Sequence, residues 1–293
     1  MNRYSLKFAA VMAGVLAVML PLTGCDNNDD DAPDAPDITI NAPRPISIIG
    51  ESEREWFSFS YDSDGRMTRA QLLDYVYDED YNILQTVNED IQVSYSPFKY
   101  VDKVDDYTMT MTDASFNKRG FISKVKVTAT DEYETVSYWV SFGYDSDGHL
   151  TSMDVDGEKN NITWIDGNLV NFGGELLFSY SDEKNYAKNI CIQPYYDSMA
   201  QFWMTGLFGE IPVNFPNKVT SPYDSDYTSN FSYTLNSDGS IKTETITNDE
   251  GSFTFDYVYG TRSLDRALGM PTGEVKSPMT KKHMSNPLRR FRK

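Results

Sequence analysis

Histidine is scarce in this chain, and its scarcity limits the chemistry that the protein can perform. The 293 residues include two histidines, His149 and His283. Ser-His-Asp and Cys-His catalysis need a histidine held beside the nucleophile, whereas His149 follows a predicted turn and His283 lies in a basic segment. Zinc sites made of His and Cys fail for the same reason. The sequence therefore argues against hydrolases of these types, and it predicts no metal site and no cofactor.

Paired carboxylates are the catalytic arrangement that the composition leaves open. Glycoside hydrolysis needs two acids about 5 to 10 Å apart, and Asp154 and Asp156 lie two positions apart on a predicted strand. Since the chain holds 44 acids, some pair will meet that distance by chance. A carboxylate-dependent glycan hydrolase is therefore the alternative function, and a non-catalytic protein is favoured.

The repeated stretch "YDSDG", with a related "NSDG" further on, has two interpretations. Asp-x-Asp-Gly begins many calcium loops, but an EF-hand needs Glu at its twelfth position, where Leu73 and Asp156 stand here. A hairpin explains the pattern better, because Asp or Asn opens a type I turn and Gly then takes the left-handed conformation of a bulge. The predicted turn glycines are Gly65, Gly148 and Gly239, with Gly120 and Asp166-Gly167 in two variant turns.

Aromatic residues alternate with Ser, Thr, Gly and Asp beside these turns, as in "FSFSY" (57–61) and "FTFDYVY" (253–259). Alternation at period two is typical of an antiparallel sheet with one buried face and one wet face. The sequence therefore predicts an all-β fold. We expect a long, strongly curved antiparallel sheet of successive hairpins, barrel-like or half-barrel, with one short helix packed on it.

Residues 194–219 break the strand rhythm and predict that one helix. Pro194 suits a first helical turn, and apolar residues recur at helical spacing as far as Gly209. The aromatic residues here either belong to the core or form an exposed patch at the rim of a ligand pocket. The candidate ligand-contact residues are Tyr195, Phe202 and Trp203, and the other tryptophans that could stack on a glycan are Trp56, Trp139 and Trp164.

The N-terminus has the order of a bacterial secretory signal. Two cations precede an apolar run at 8–20, and "LTGC" ends at Cys25. This order predicts that residues 1–24 are a lipoprotein signal peptide and that Cys25 carries a diacylglycerol. The run is too short to cross a membrane comfortably as a helix. The lipobox residues before the cysteine are Leu22, Thr23 and Gly24.

Composition divides the rest of the chain into three segments. Residues 25–40 are predicted to be an acidic disordered tether, because "DNNDDDAPDAPD" cannot bury apolar surface. Residues 41–262 form the antiparallel β domain, and 263–293 a basic flexible tail. The acidic cluster directly after Cys25 resembles the surface-export signal of Bacteroidetes lipoproteins, which implies an outer-membrane lipoprotein exposed at the cell surface. The alternative is a periplasm-facing protein whose Asp residues only extend the tether.

Charge is distributed very unevenly. Residues 38–275 hold 38 acids and 17 bases, whereas 276–293 hold seven Lys or Arg and no acid. The acidic body repels nucleic acids and anionic glycans. The basic end either stays solvated, binds an anionic surface or folds back on the acidic body. With Cys25 lipidated, Cys191 has no cysteine to pair with, and we expect it to be buried and inert. We also expect a monomeric protein with no nucleic-acid partner.

Several motifs in order resemble one family. The lipobox and Asp tract, "YDSDGR", "ITWIDGNLV", "FSYSDEKNYAKNICI", "GLFGEIPVNFPNKV" and a final "DG" hairpin look like a Bacteroidetes family of uncharacterised lipoproteins described as having a porin-like β fold. The resemblance covers nearly all of residues 45–260, and "WIDGN" and "GLFG" are its more specific pieces. It implies a curved antiparallel sheet, no assigned activity and no catalytic residues, and the basic tail is longer than the family leads us to expect.

A porin-like fold does not by itself predict a pore. Membrane-spanning strands keep their lipid-facing positions apolar, whereas runs such as "TATDEYETVSYW" carry several charges. The favoured function is therefore a non-catalytic binding or scaffold protein, tethered to the outer membrane by its lipid, whose ligand is a glycan or another envelope protein.

Overall fold

The computed structural model describes Ala35 and residues 43–50, 53–77, 83–195 and 199–260. Within these ranges the chain forms sixteen antiparallel strands, and the first strand pairs with the last. The sheet is therefore a closed barrel, which confirms the predicted all-β, barrel-like antiparallel fold and selects the closed form. The predicted signal peptide, Cys25 with its lipobox, and the basic tail lie outside the described residues, as does the tether apart from Ala35.

The strands are β1 (Pro45–Gly50), β2 (Arg54–Tyr61), β3 (Met67–Tyr77), β4 (Ile83–Tyr95), β5 (Phe98–Val104), β6 (Tyr107–Phe116), β7 (Ile122–Thr130), β8 (Thr135–Tyr144), β9 (Leu150–Val155), β10 (Glu158–Ile165), β11 (Asn168–Phe172), β12 (Leu176–Lys184), β13 (Asn214–Ser221), β14 (Asp224–Leu235), β15 (Ile241–Asn248) and β16 (Gly251–Tyr259). Two short helices, α1 (Ile192–Tyr195) and α2 (Ala200–Thr205), lie between β12 and β13.

The alternating sequence pattern sorts side chains between the inside and the outside of the barrel. In β8, Tyr138, Val140 and Phe142 are buried, whereas Ser137 and Ser141 are exposed. Because successive side chains of a strand point to opposite faces, the same alternation in most strands fills the interior with apolar groups. The outer wall carries hydroxyl pairs across neighbouring strands: Thr128–Ser137, Thr130–Thr135, Thr234–Thr243, Thr245–Thr254 and Thr247–Ser252.

Up-and-down connectivity places the turns alternately at the two ends of the barrel. We call the end that holds Pro45 and Tyr259 the proximal end, and the opposite end the distal end. All the repeated turns lie at the proximal end, since each follows an even-numbered strand. Their glycines have the left-handed backbone predicted from the sequence, with φ of 74° at Gly65, 95° at Gly148 and 81° at Gly239.

One long connection enters the barrel from the proximal end. We call residues 185–195 and 199–213 the plug, because Ile190 through Tyr195 and Met199 through Thr205 lie almost entirely in the core. Helical structure forms in the predicted segment, but it is divided in two and does not reach Gly209. The structure has α1 and α2, and α2 ends at Thr205 because Gly206 takes the left-handed conformation (φ 77°) and donates its N–H to the carbonyl of Trp203.

Candidate functional site

The three candidate ligand-contact aromatics lie in the middle of the barrel. Tyr195, Phe202 and Trp203 are 2%, 6% and 2% exposed. Trp203 meets Tyr195 edge-on with ring centroids 4.9 Å apart, and Phe202 lies 4.6 Å from Phe208. The exposed aromatic patch proposed as one interpretation is therefore not formed, and the core interpretation holds for these residues.

The closed wall explains why these side chains have no route to solvent. A helix on an open sheet keeps one face in water, but a helix inside a barrel meets wall on every side. Tyr100 of β5 packs on Phe202 at 5.5 Å, Phe178 of β12 packs on Tyr195 at 5.1 Å, and Trp164 of β10 reaches Trp203 at 6.2 Å. The interior is thus a packed aromatic core.

The other tryptophans are dispersed. Trp56 meets Phe255 edge-on at 5.9 Å, and Trp164 stacks on His149 at 4.3 Å. Trp139 is 40% exposed, but it lies on the outer wall beneath the ammonium group of Lys124, which is 4.7 Å from its ring. The four tryptophans therefore do not form a shared platform on which a sugar could stack.

The proximal turns do more than reverse the chain, because the carbonyls of their glycines bind the segments that cross the barrel mouth. The carbonyl of Gly148 accepts the N–H of Glu210 at 3.0 Å, and that of Gly167 accepts the N–H of Val213 at 3.1 Å. The carbonyls of Gly239 and Gly65 accept from Asn189 and Arg44. We call this set of turns the collar.

Buried amides complete the attachment of the plug to the collar. The Asn189 side chain donates to the carbonyl of Gly239 and accepts the N–H of Ile241 at 3.1 Å, while Asn185 accepts the N–H of Asn189 at 2.7 Å. Asn185 and Asn189 are 6% and 3% exposed. The sequence analysis missed this role. The sequence signal that could have indicated this attachment is the presence of two Asn residues in the long connection together with repeated turns that end in Gly.

The first aspartate of a repeated turn accepts hydrogen bonds from its own turn. The Asp145 carboxylate accepts the N–H groups of Asp147, Gly148 and His149, and its second oxygen lies 2.9 Å from Nδ1 of His149. Partial burial acts to raise the pKa of Asp145, but hydrogen bonds from His149 and the backbone outweigh it and lower the pKa. Asp145 is therefore a structural acceptor in the turn.

The candidate hydrolase pair lies in a surface turn at the distal end. Asp154 accepts the N–H of Gly157 at 2.8 Å, which closes the turn between β9 and β10. Asp156 is exposed and has a φ of 49°. Neither carboxylate faces the interior, so the arrangement explains both residues as turn formers.

A different carboxylate, Glu244 on β15, is fully buried against the plug. Burial raises its pKa to about 7, although hydrogen bonds from Tyr257, the backbone of Gln193 and Tyr233 act to lower it. Tyr257 donates a hydrogen bond to Glu244 and accepts the N–H of Ile192 at 3.2 Å. Cys191, predicted to be buried, lies beside this group at 2% exposure, and burial raises its pKa too. The group joins the start of the plug to the wall.

The distal end is acidic and carries exposed aromatic tips. Tyr133 and Tyr223 are 82% and 76% exposed. The described distal turns, at 53, 105–106, 131–134, 156–157, 173–175, 222–223 and 249–250, include no Lys or Arg. Their acids are Glu53, Asp105, Asp106, Asp131, Glu132, Glu134, Asp156, Glu175, Asp249 and Glu250.

A β-hairpin extends from this end beyond the rest of the barrel. We call residues 73–77 of β3 and 83–88 of β4 the arm. The pairing of β2 with β3 ends at Leu72 and that of β4 with β5 ends at Glu89, whereas β3 and β4 stay paired up to Tyr77 and Ile83. The exposed apolar side chains of the arm are Val76 (40%), Ile83 (44%), Leu84 (48%) and Val87 (50%).

The arm is apolar on both faces. Leu84 lies opposite Val76 on the face that continues from the barrel interior, because a bulge at Asn88 shifts the alternation of β4, and Ile83 and Val87 lie on the other face. Such a ribbon has no core to pack on beyond the barrel rim. The arm and the acidic turns around it therefore form the candidate interaction surface, which sequence analysis missed because exposure is a property of the assembled barrel.

Comparisons with known proteins support the fold. No protein-family model and no curated protein matches the chain. The chain is similar in structure to a porin-like protein from Bacteroides uniformis, with 17% identity and a TM-score of 0.53 over 74% of this chain and 99% of that one. A porin-like protein from Bacteroides vulgatus also matches, with 11% identity and a TM-score of 0.27 over 75% of this chain and all of that one.

The similarity to the Bacteroides uniformis protein confirms that the fold is the porin-like one that the sequence resemblance implied. Among the described residues, neither helix has the length and apolar composition that a membrane-crossing helix needs.

Proposed function

We propose that the protein is an outer-membrane lipoprotein, exposed at the cell surface, whose filled barrel is a non-catalytic binding or scaffold module. The observation that carries the proposal is the packed interior. The plug places Trp203, Phe202 and Tyr195 inside the barrel, in contact with the wall, where a porin has water. A barrel filled in this way has no conduit, so its outer surfaces and ends are what it offers to other molecules.

The polarity of the wall supports attachment by a lipid rather than by insertion. Strands that face lipid carry apolar residues outside and polar residues inside, and this barrel has the reverse order. Phe98 and Tyr100 of β5 point inward, whereas Lys99 between them is exposed. The predicted diacylglycerol on Cys25 would supply the anchor that the wall does not.

The geometry favours a protein ligand over a glycan. Exposed aromatic platforms in a groove are what glycan binding needs, and the tryptophans are buried or dispersed. The distal end instead offers an apolar hairpin and aromatic tips. The proximal end holds the start of the described barrel at Pro45, so a tether from Cys25 would leave the distal end facing away from the membrane.

The test follows the protein in intact cells. Protease added outside should remove the wild-type protein while a periplasmic marker survives. A Cys25→Ala variant should lose both its lipid label and its membrane attachment. A Cys191→Ala variant is the matched control, because that thiol lies in the core, and it should stay lipidated and membrane-bound.

Two results would contradict the proposal. Survival of the wild-type protein until the outer membrane is opened would place it inside the envelope. Membrane attachment of the Cys25→Ala variant would show that the barrel itself inserts. Ion conductance of the purified protein in a planar bilayer, with a known porin as reference, provides an independent check, and we expect none.

A further inference from the structure

The arm has a strand edge that no described strand covers. Residues 83–88 pair with β3 on one side, and no described strand pairs with them on the other, because β5 ends at Val104 opposite Glu89. Natural proteins block such edges with Lys, Pro, bulges or a covering segment. The stretch "ILQTVN" has neither Lys nor Pro, and its bulge lies at its base, at Asn88, where the register of β4 against β3 shifts. Its unpaired backbone groups and apolar side chains suit a further extended strand.

Charge limits what that strand can be. Asp105 and Asp106 form the turn beside β4, and Glu53 lies in the turn beside β3. The described distal turns themselves hold no Lys or Arg, although Arg54, at the start of β2, lies with its guanidinium 5.2 Å from the ring of Tyr75 in the arm. A second copy of the chain would bring the same acids to the interface, which costs energy. The suitable occupant is therefore basic and partly apolar.

We propose that the arm binds residues 276–293 of the same chain as an added strand. This segment, "KSPMTKKHMSNPLRRFRK", holds seven Lys or Arg and no acid, together with Met279, Met284, Leu288 and Phe291. Its cations complement the acidic turns, and its apolar side chains suit the exposed residues of the arm. Because the two are on one chain, the high effective concentration favours binding within the molecule over binding between molecules.

The length of the chain permits this contact. The described barrel ends at Gly260 at the proximal end, and Lys281 follows 21 residues later, a reach of up to about 70 Å for extended chain. The path along β16 and across four strands to the arm is about 50 Å, from about 3.3 Å per residue and 4.8 Å per strand. The basic segment therefore reaches the arm without unpairing the barrel.

Amide hydrogen exchange of the full chain tests the proposal. The test compares the wild type with a variant in which Lys281, Lys282, Arg289 and Arg290 are changed to Glu. The amides of residues 83–88 that point away from β3 should exchange at least about tenfold more slowly in the wild type. Amides of β8, in the core wall, serve as an internal standard of folding. Raising the salt concentration from about 0.05 to 0.5 M should partly remove the difference, since contacts between exposed charges are screened.

A matched control changes the same amount of charge elsewhere. Lys99, Lys118, Lys218 and Lys242 are exposed on the outer wall or the proximal end, and their replacement by Glu should leave exchange in the arm at the wild-type rate. A reciprocal variant, Val76→Asp with Leu84→Asp, should speed tryptic cleavage within 276–293 severalfold while β8 stays protected.

Three results would overturn the proposal. Fast exchange of residues 83–88 in the wild type would show that nothing covers the edge. Equal protection in the tail variant and the wild type would show that another segment covers it. Protection that grows between about 1 and 100 µM protein would identify a second copy as the occupant, since binding within one chain does not depend on concentration.

Discussion

The two ends of the barrel are built from the same type of connection but differ in what their polar groups contact. At the proximal end, acids meet cations: Asp62 lies 2.8 Å from Arg66, and Glu210 contacts both Arg119 and Lys188. At the distal end, the described turns have acids and exposed tyrosines without Lys or Arg. The proximal end therefore stabilises the fold, and the distal end is left for contacts with other groups.

The difference shows how one hairpin motif can serve two purposes. A left-handed glycine turns its carbonyl away from the hairpin ladder, so that the carbonyl is available as an acceptor. At Gly148 and Gly167 the plug uses that acceptor. At the distal Gly157, no atom beyond the adjoining residues lies within 4 Å of the position that a Cβ would occupy. The proximal turns act as a collar because the long connection between β12 and β13 donates hydrogen bonds to their carbonyls.

The largest expected contrast between the ends comes from two glycines with nearly equal backbones. Gly209 and Gly157 have φ of 94° and 95°, but a Cβ on Gly209 would lie 2.6 Å from the carbonyl oxygen of Gly148. We expect Gly209→Ala to lower the free energy of unfolding by about 4 kcal/mol through strain and overpacking. Gly157→Ala should cost about 1 kcal/mol. Denaturant unfolding measures both, and equal losses would contradict the comparison.

The attachment of the plug to the wall should make stability depend on pH. The folded pKa of Glu244, about 7, lies above its ordinary value of 4.5, so folding takes up a proton between these values. The free energy of unfolding should fall as pH rises from about 4.5 to 7, by about 3 kcal/mol at 1.4 kcal/mol per pH unit, and then level off.

Glu244→Gln should abolish this component, because the amide stays neutral and its oxygen can still accept from Tyr257. The variant should therefore be more stable than the wild type above pH 7 and gain nothing near pH 4. Denaturant unfolding at a series of pH values gives the difference curve. A flat difference would show that the pKa of Glu244 is the same in the folded and unfolded states.

Turn aspartates give a smaller contrast between the ends. Asp145, at the proximal end, accepts three backbone N–H groups and contacts His149, whereas the distal Asp131 accepts two N–H groups in full exposure. Asp145→Ala should destabilise the protein by about 2 kcal/mol, and Asp131→Ala should destabilise it less. Thermal unfolding of the two variants checks the order, and a reversed order would mean that the distal turns also stabilise the barrel.

The smallest effect is expected in the arm. Val76 and Leu84 are 40% and 48% exposed, so the double variant Val76→Thr with Leu84→Thr removes little buried apolar area. Thr is β-branched and favours the strand conformation, so the arm should keep its backbone. The free energy of unfolding should change by no more than about 0.5 kcal/mol. A loss above about 2 kcal/mol would show that the arm belongs to the core.

Local structure could be predicted from the sequence, whereas closure could not. The glycines at 65, 148 and 239 carry their own turn chemistry, and the alternating aromatics select one face of a strand without help from distant residues. The pairing of β1 with β16 depends on the accumulated curvature of fourteen intervening strands. That curvature has no local signature, so open and closed sheets were equally compatible with the sequence.

Burial of the candidate site residues was undetermined for a similar reason. Helical spacing around Trp203 identifies an apolar stripe, but not whether the opposite side also meets protein. Polar residues such as Gln193 and Thr205 imply a wet face, yet they are 6% and 0% exposed because the barrel surrounds the helices. The arm was missed in the converse way, since "ILQTVN" resembles a core strand until its neighbours are known to end earlier.

The pairing that closes the barrel also constrains how the chain can fold. Pro45 pairs with Tyr259, near the opposite end of the described chain. Bringing such distant segments together costs loop-closure entropy, and contacts of high sequence separation slow folding. The barrel therefore cannot be completed while its last strand is still being synthesised. Cooperative closure is a late event that needs both the first and the last strand, so deletion of either one would leave two new edges open to association with other chains.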